Sequence, residues 1–164
     1  MEFPAKGSDI LAVVISGDGG WASIDKQISE TLNDKGIAVI GLNSLQYFWK
    51  KKNPDIAAND LSRILQLYSN IWSTKKIMLI GYSTGADTLP FMVNRLPLEL
   101  KSKIQSISLL GLASNANFEF HVSDWLTSSD GLYKVMPEGQ KLKSMNVLWI
   151  YGEDESDSAC RSLC

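Results

Sequence analysis

The sequence predicts an α/β fold: a mostly parallel sheet of about five strands flanked by helices. Three observations carry that prediction. Short apolar, β-branched runs recur along the chain and end in glycine or polar residues. Between them lie longer segments whose apolar residues repeat at helical spacing. Each strand–helix–strand unit is long enough for the crossover that joins parallel strands.

The elements follow in order. "ILAVVIS" (10–16) ends in "GDGG" and reads as a buried parallel strand. In "SIDKQISETLNDKG", Ile24, Ile28 and Leu32 share a helical face, with Ser23 as N-cap and Gly36 as the stop. "IAVIGL" (37–42) is the second strand. Asn53 caps the next helix with Pro54 at its first position, and Ile56, Leu61, Ile64, Leu65, Tyr68 and Trp72 form its apolar face. "KIMLIGY" (76–82) is the third strand, and "TGADTLPFMVNRL" the helix after it, with a kink expected at Pro90. "IQSISLLGL" (104–112) and "NVLWIYG" (146–152) are the fourth and fifth strands. Residues 113–145 read mostly as loop, long enough for a lid or binding loop. The sheet is expected to lack its C-terminal strand and helix, since twelve residues remain after Gly152.

A length of 164 residues suits a single domain over 1–164. Sixteen Lys+Arg against eighteen Asp+Glu is not the basic excess of a nucleic-acid binder. No apolar run approaches the roughly 20 residues of a transmembrane helix. The first residues, "MEFPAKGSDI", lack the pattern of a signal peptide. Cys160 and Cys164 could close a small disulfide loop or remain two thiols.

Gly81-Tyr82-Ser83-Thr84-Gly85 stands between a strand and a helix, the context a nucleophile elbow requires. Glycines permit the tight turn that projects the Ser83 hydroxyl above the sheet, and the fold this points to is α/β-hydrolase-like. One oxyanion donor is then the Thr84 N–H, and the second comes from the Gly-rich loop 17–21, with Asp18 or Gly19 as donor. That loop lacks the Gly-Lys-Ser/Thr of a P-loop, so nucleotide binding is the weaker reading. Its alternative is a glycine turn with Trp21 packed as core. The acid follows the fifth strand, where Glu153, Asp154, Glu155 and Asp157 are all candidates. The spacing common in hydrolases favours Glu155, with Asp157 and Asp154 in reserve.

The base is the difficulty. Chain order in this fold is Ser, acid, His, yet the single histidine, His121, precedes the acid. It reaches the site only if the long loop folds back. The expected base therefore lies outside this chain. "LQYFWKKKNP" (45–54) sets three aromatics beside three lysines at the strand edge where open α/β sheets bind ligands. Trp21, Tyr47, Trp49, Lys50 and His121 are the candidates for substrate contact, against a plain reading in which the aromatics are half core. No cofactor or metal is expected.

"SGDGGW", "SLQYFWKKKNPDIAANDL", "GYSTGAD", "FEFHVSDWL" and "YGEDESDSAC" together resemble the bacterial VirJ family, which includes the VirJ-like domain of AcvB. The resemblance runs from about residue 10 to the end. It implies an α/β-hydrolase fold, a periplasmic location in Gram-negative bacteria, and a link to virulence and type IV secretion. It further implies hydrolysis of aminoacyl esters of phosphatidylglycerol, such as the lysyl ester, with the anionic head group as partner. By position Ser83 matches the nucleophile and Glu155 aligns best with the acid. The chain departs from the family pattern in three places. The His-rich segment is missing, Thr84 stands where an aromatic is usual, and Asn43 where an aspartate is frequent. The second expectation is a non-catalytic periplasmic adaptor that binds secreted proteins or secretion machinery.

Overall fold

The computed structural model describes residues 1–120, 131–155 and 158–163. Its centre is a six-stranded sheet. In chain order the strands are β1 (Glu2–Phe3), β2 (Ile10–Ile15), β3 (Ala38–Leu42), β4 (Lys76–Tyr82), β5 (Ile104–Leu110) and β8 (Val147–Ile150). Between β5 and β8, β6 (Asn115–Ala116) pairs with β7 (Tyr133–Lys134). Across the sheet the order is β1-β3-β2-β4-β5-β8. Every neighbouring pair is parallel except β1 against β3. The five expected strands are present, and β1 is an addition at one edge.

β2 shows why a parallel strand reads as an unbroken apolar run. Leu11, Val13 and Ile15 point to one face, Ala12 and Val14 to the other, and all five are buried. The first set joins Leu61 and Leu65 of α3 (Pro54–Ile71), which follows the single turn of α2 (Ser44–Tyr47), and Leu89 and Met92 of α4 (Thr84–Asn94) in the larger core. The second set meets Ile28 and Leu32 of α1 (Ser23–Asp34). Ile24 is 36% exposed and lies off that face.

The helix ends follow local chemistry. The N-cap of α1 is Ala22, one residue before the expected Ser23, because the Asp25 carboxylate takes the Ala22 N–H at 2.9 Å. At its other end Gly36, with φ 79°, allows its own N–H and that of Ile37 to bond back to Asn33 and Leu32. Asn53 caps α3, its side chain accepting the Ile56 N–H at 2.8 Å.

The stretch expected to be mostly loop holds more structure than its sequence suggests. Besides β6 and β7 it contains a short helix at Val135–Gln140. Phe118 is buried and meets Phe48, Phe91 and Tyr133 edge-on at centroid distances of 5.2–5.6 Å. Residues 113–120 thus belong in part to the core.

Cover is uneven across the α1 face. Val14, Ile80, Ser108 and Leu148 form one row through the sheet. Exposure along it rises from 0% at Val14 to 53% at Leu148, and Ile150 beside it is 46% exposed.

Candidate active site

Ser83 stands at the junction of β4 and α4 with φ 52° and ψ −120°. A residue with a Cβ adopts this conformation only under constraint. Three features impose it. The Ser83 N–H donates to Leu110 O at 2.8 Å, and its carbonyl accepts the Asp87 N–H at 2.9 Å. A Cβ on Gly81 would lie 2.5 Å from Gly85 O, and one on Gly85 would lie 2.2 Å from Ile15 O. Both flanking glycines are therefore required by backbone packing, which is stronger than a match to a sequence pattern.

The Gly-rich loop lies directly against this serine. A Cβ on Gly17 would fall 3.2 Å from Ser83 Cβ. Two buried serines hold the base of the loop. Ser44 Oγ donates to Gly17 O at 2.5 Å, and the Ser44 N–H donates to Ser16 Oγ at 3.0 Å. Asp18 and Gly19, which follow Gly17, are exposed. Among the described residues no acceptor takes the N–H of Asp18, Gly19 or Thr84. For Thr84 this is the ordinary state of a first-turn helix N–H. The junction thus offers a projecting hydroxyl with undonated N–H groups on two adjoining segments, the arrangement suited to a developing oxyanion.

Asp87, one turn into α4, was not among the residues singled out from the sequence. Its side chain is 9% exposed, and Oδ1 accepts the Ala113 N–H at 2.7 Å. Burial pushes its carboxyl up to about 7; the Ala113 N–H works against the rise and the Asp18 charge adds to it. A signal existed, since Asp87 is the one charged residue in a run, 85–93, that is buried throughout.

Glu155 follows β8 in an exposed turn closed by its own N–H to Gly152 O at 3.1 Å. Its Oε1 lies 3.8 Å from where a Cβ on Gly111 would sit. Gly111 follows Leu110, the residue that anchors the Ser83 N–H, so the acidic turn and the elbow meet the same strand end. Arg161 braces this turn by donating to Glu155 O and Glu153 O at 3.0 and 2.8 Å. Asp157, His121 and Cys164 lie outside the described residues. Cys160 is buried.

The aromatic and basic segment divides. Tyr47 is committed to α3: its hydroxyl donates to Asp60 at 2.6 Å, and burial with that bond raises its pKa. Phe48 is wholly buried. Lys52 pairs with Asp60 at 3.4 Å, while Lys51 reaches Glu119. Trp49, 58% exposed, and Lys50 face solvent. Trp21 packs over Gly41 and stacks on Phe3 at 6.5 Å, as part of the core on the α1 face. Among the described residues no group of three or more His, Cys, Asp or Glu could hold a metal ion, and no helix is long and apolar enough to cross a membrane.

Solved structures share this architecture. A candidate thioesterase from Silicibacter sp. TM1040 aligns with a TM-score of 0.66 at 17% identity, over 98% of this chain and 63% of its own. A candidate dienelactone hydrolase from Klebsiella pneumoniae gives 0.68 at 10%, over 97% and 68%. An esterase from Pyrococcus furiosus gives 0.65 at 16%, over 96% and 72%. At these identities the likeness is one of fold, that of the α/β-hydrolases, and the chain spans less than two thirds of the first of them. No curated protein matches the sequence. The family model described as bacterial virulence protein (VirJ) matches residues 9–164, a span that takes in the Gly-rich loop, the elbow and the acidic turn. The chain belongs to the VirJ family.

Proposed function

We propose that this domain is of the serine-hydrolase type and cleaves the aminoacyl ester of an aminoacylated phosphatidylglycerol, such as the lysyl ester. We place that activity in the periplasm, in a setting tied to virulence and type IV secretion. One observation carries the chemistry: Ser83 is held at φ 52° between two glycines that tolerate no Cβ, with Gly17 against its side chain. Membership of the VirJ family supports the setting.

Ser83 Oγ attacks the aminoacyl carbonyl as its proton passes to an imidazole. The Thr84 N–H and an N–H of Asp18 or Gly19 take the charge that gathers on the carbonyl oxygen. As the ester C–O bond breaks, the proton passes to the departing glycerol oxygen, and water then releases the amino acid from Ser83. Glu155, or Asp157 of the same acidic segment, orients the imidazole. Trp49 and Lys50 meet the lipid surface and its anionic phosphate.

The test is release of lysine from lysyl-phosphatidylglycerol in mixed micelles by the complete protein, with its histidine base. Ser83→Ala is expected to lower the rate by at least ~10³-fold with the circular dichroism spectrum unchanged. Undiminished turnover by that variant overturns the proposal.

A further inference from the structure

Asp87 has no part in the scheme above, yet it occupies a position that chemistry rarely leaves idle. It sits one helical turn after Ser83, and helical side chains lean toward the N-terminus of their helix, here toward the elbow. Its Oδ1 is held by the Ala113 N–H, which leaves Oδ2 without a donor among the described residues. No lysine or arginine forms an ion pair with it there. Asp18, next to Gly17 in the loop that lies against Ser83, is a like charge that acts on it. Glu155 adds a third carboxyl at the neighbouring strand end.

A buried carboxylate is ordinarily paired with a cation or with several donors. Asp87 has one donor and a like charge, so when empty it keeps its proton up to about pH 7, and a bound cation would take that proton's place. Asp87, Asp18 and Glu155 are not placed to hold a metal ion together, and Asp87 with Asp18 alone falls short of the six to eight oxygens a calcium ion takes. They suit an ammonium group, which needs only a few acceptors on one side.

We propose that Asp87, assisted by Asp18, receives the ammonium group on the acyl part of the substrate, so that the site selects esters of amino acids over esters of uncharged acids. The inference rests on the reading of Ser83 as the nucleophile of that ester cleavage, and it names the residue by which the site would recognise the aminoacyl group. It also accommodates an anionic lipid beside these carboxyls: the positive end of the substrate meets Asp87, and the phosphate stays with Lys50.

The test is binding of two uncleaved probes, lysinamide and its Nα,Nε-diacetyl derivative, followed through the amide resonance of Ala113. In the wild type lysinamide is expected to bind at least ~10-fold more tightly than the diacetyl form. Asp87→Asn keeps an acceptor for Ala113 and is expected to bring that ratio close to one. Asp18→Asn, a change at an exposed residue, is expected to lower it about threefold. Equal affinities in the wild type, or an unchanged ratio in Asp87→Asn, overturn the inference. Lysine release from the lipid separates the two readings. A ratio of one with Ser83-dependent release rejects the ammonium seat alone, whereas release indifferent to Ser83→Ala rejects the nucleophile and leaves the seat standing.

Discussion

At the end of β4 the backbone leaves almost no freedom, whereas at the end of β8 it leaves a good deal. Gly81, Gly85 and Gly17 touch neighbouring atoms so closely that no Cβ fits at the first two and little room remains at the third. β4, which leads into the elbow, is covered on both faces of the sheet, by the core around Leu79 on one and that around Ile80 on the other. The acidic turn after β8 is exposed from Tyr151 to Glu155, is braced by Arg161, and stands beside the uncovered Leu148 and Ile150. The difference teaches where accuracy is built in. An attacking oxygen must be aimed to fractions of an ångström, while a carboxylate that orients another side chain tolerates slack.

Substitutions sharpen that contrast, beginning with the one of largest effect. Gly85→Ala drives a Cβ to 2.2 Å from Ile15 O and 2.7 Å from Ile15 C, both backbone atoms of a central strand. A loss of more than about 3 kcal/mol is expected in urea unfolding; a loss below 1 kcal/mol would show the elbow to be more pliant than described.

Asp87→Asn comes next, and its effect has a sign set by pH. The folded state holds this carboxyl at about 7 against 3.8 for the free group. The folded protein therefore binds the extra proton between those values, and the wild type loses stability as pH rises from about 4 to about 7. Above pH 7 the asparagine variant is expected to be the more stable by on the order of 2–4 kcal/mol, a gain that vanishes below pH 4. Urea midpoints across pH 3–9 measure it, and a pH-independent difference would break the account. Stability surrendered at a buried acid is the usual accompaniment of a binding role.

A smaller gain is expected from Ser83→Gly, which relieves the strained backbone at φ 52° and should add about 1–2 kcal/mol while removing the hydroxyl. Smallest is Glu155→Gln. Its side chain is exposed, so unfolding should shift by less than about 0.5 kcal/mol even if lysine release collapses. A large loss of stability there would erase the distinction between the two strand ends.

The sheet was legible because β2, β3, β4 and β5 lie within it and are apolar for much of their length. β1 was not, since two residues, Glu2 and Phe3, carry no period and gain their place only by pairing with Val39 and Ile40. The helix at Val135–Gln140 was hidden by Pro137 and Gly139, whose propensities oppose it; its place comes from tertiary packing, with Val135 buried in the core. Ser23 gave way to Ala22 as cap because a carboxylate three residues on serves the same N–H. At the site, the elbow could be read from its glycines. Asp87 was passed over although it is the one charged residue in the run 85–93, because the apolar pattern around it marked only a helix to be buried. The packing of Phe118 against Phe48 joins distant segments and left no local mark.

The contact of Trp21 with Gly41 has a bearing on how such chains can diverge. A Cβ at position 41 would lie 2.2 Å from the indole ring, so the two positions cannot vary independently. Any lineage that enlarges residue 41 must first shrink residue 21 or move it. Residue 21 closes the loop that carries Asp18 and Gly19, so a change at a silent place in the sheet would retune the loop beside Ser83. Inheritance at these two sites is expected to be joint, with glycine at one tied to tryptophan at the other.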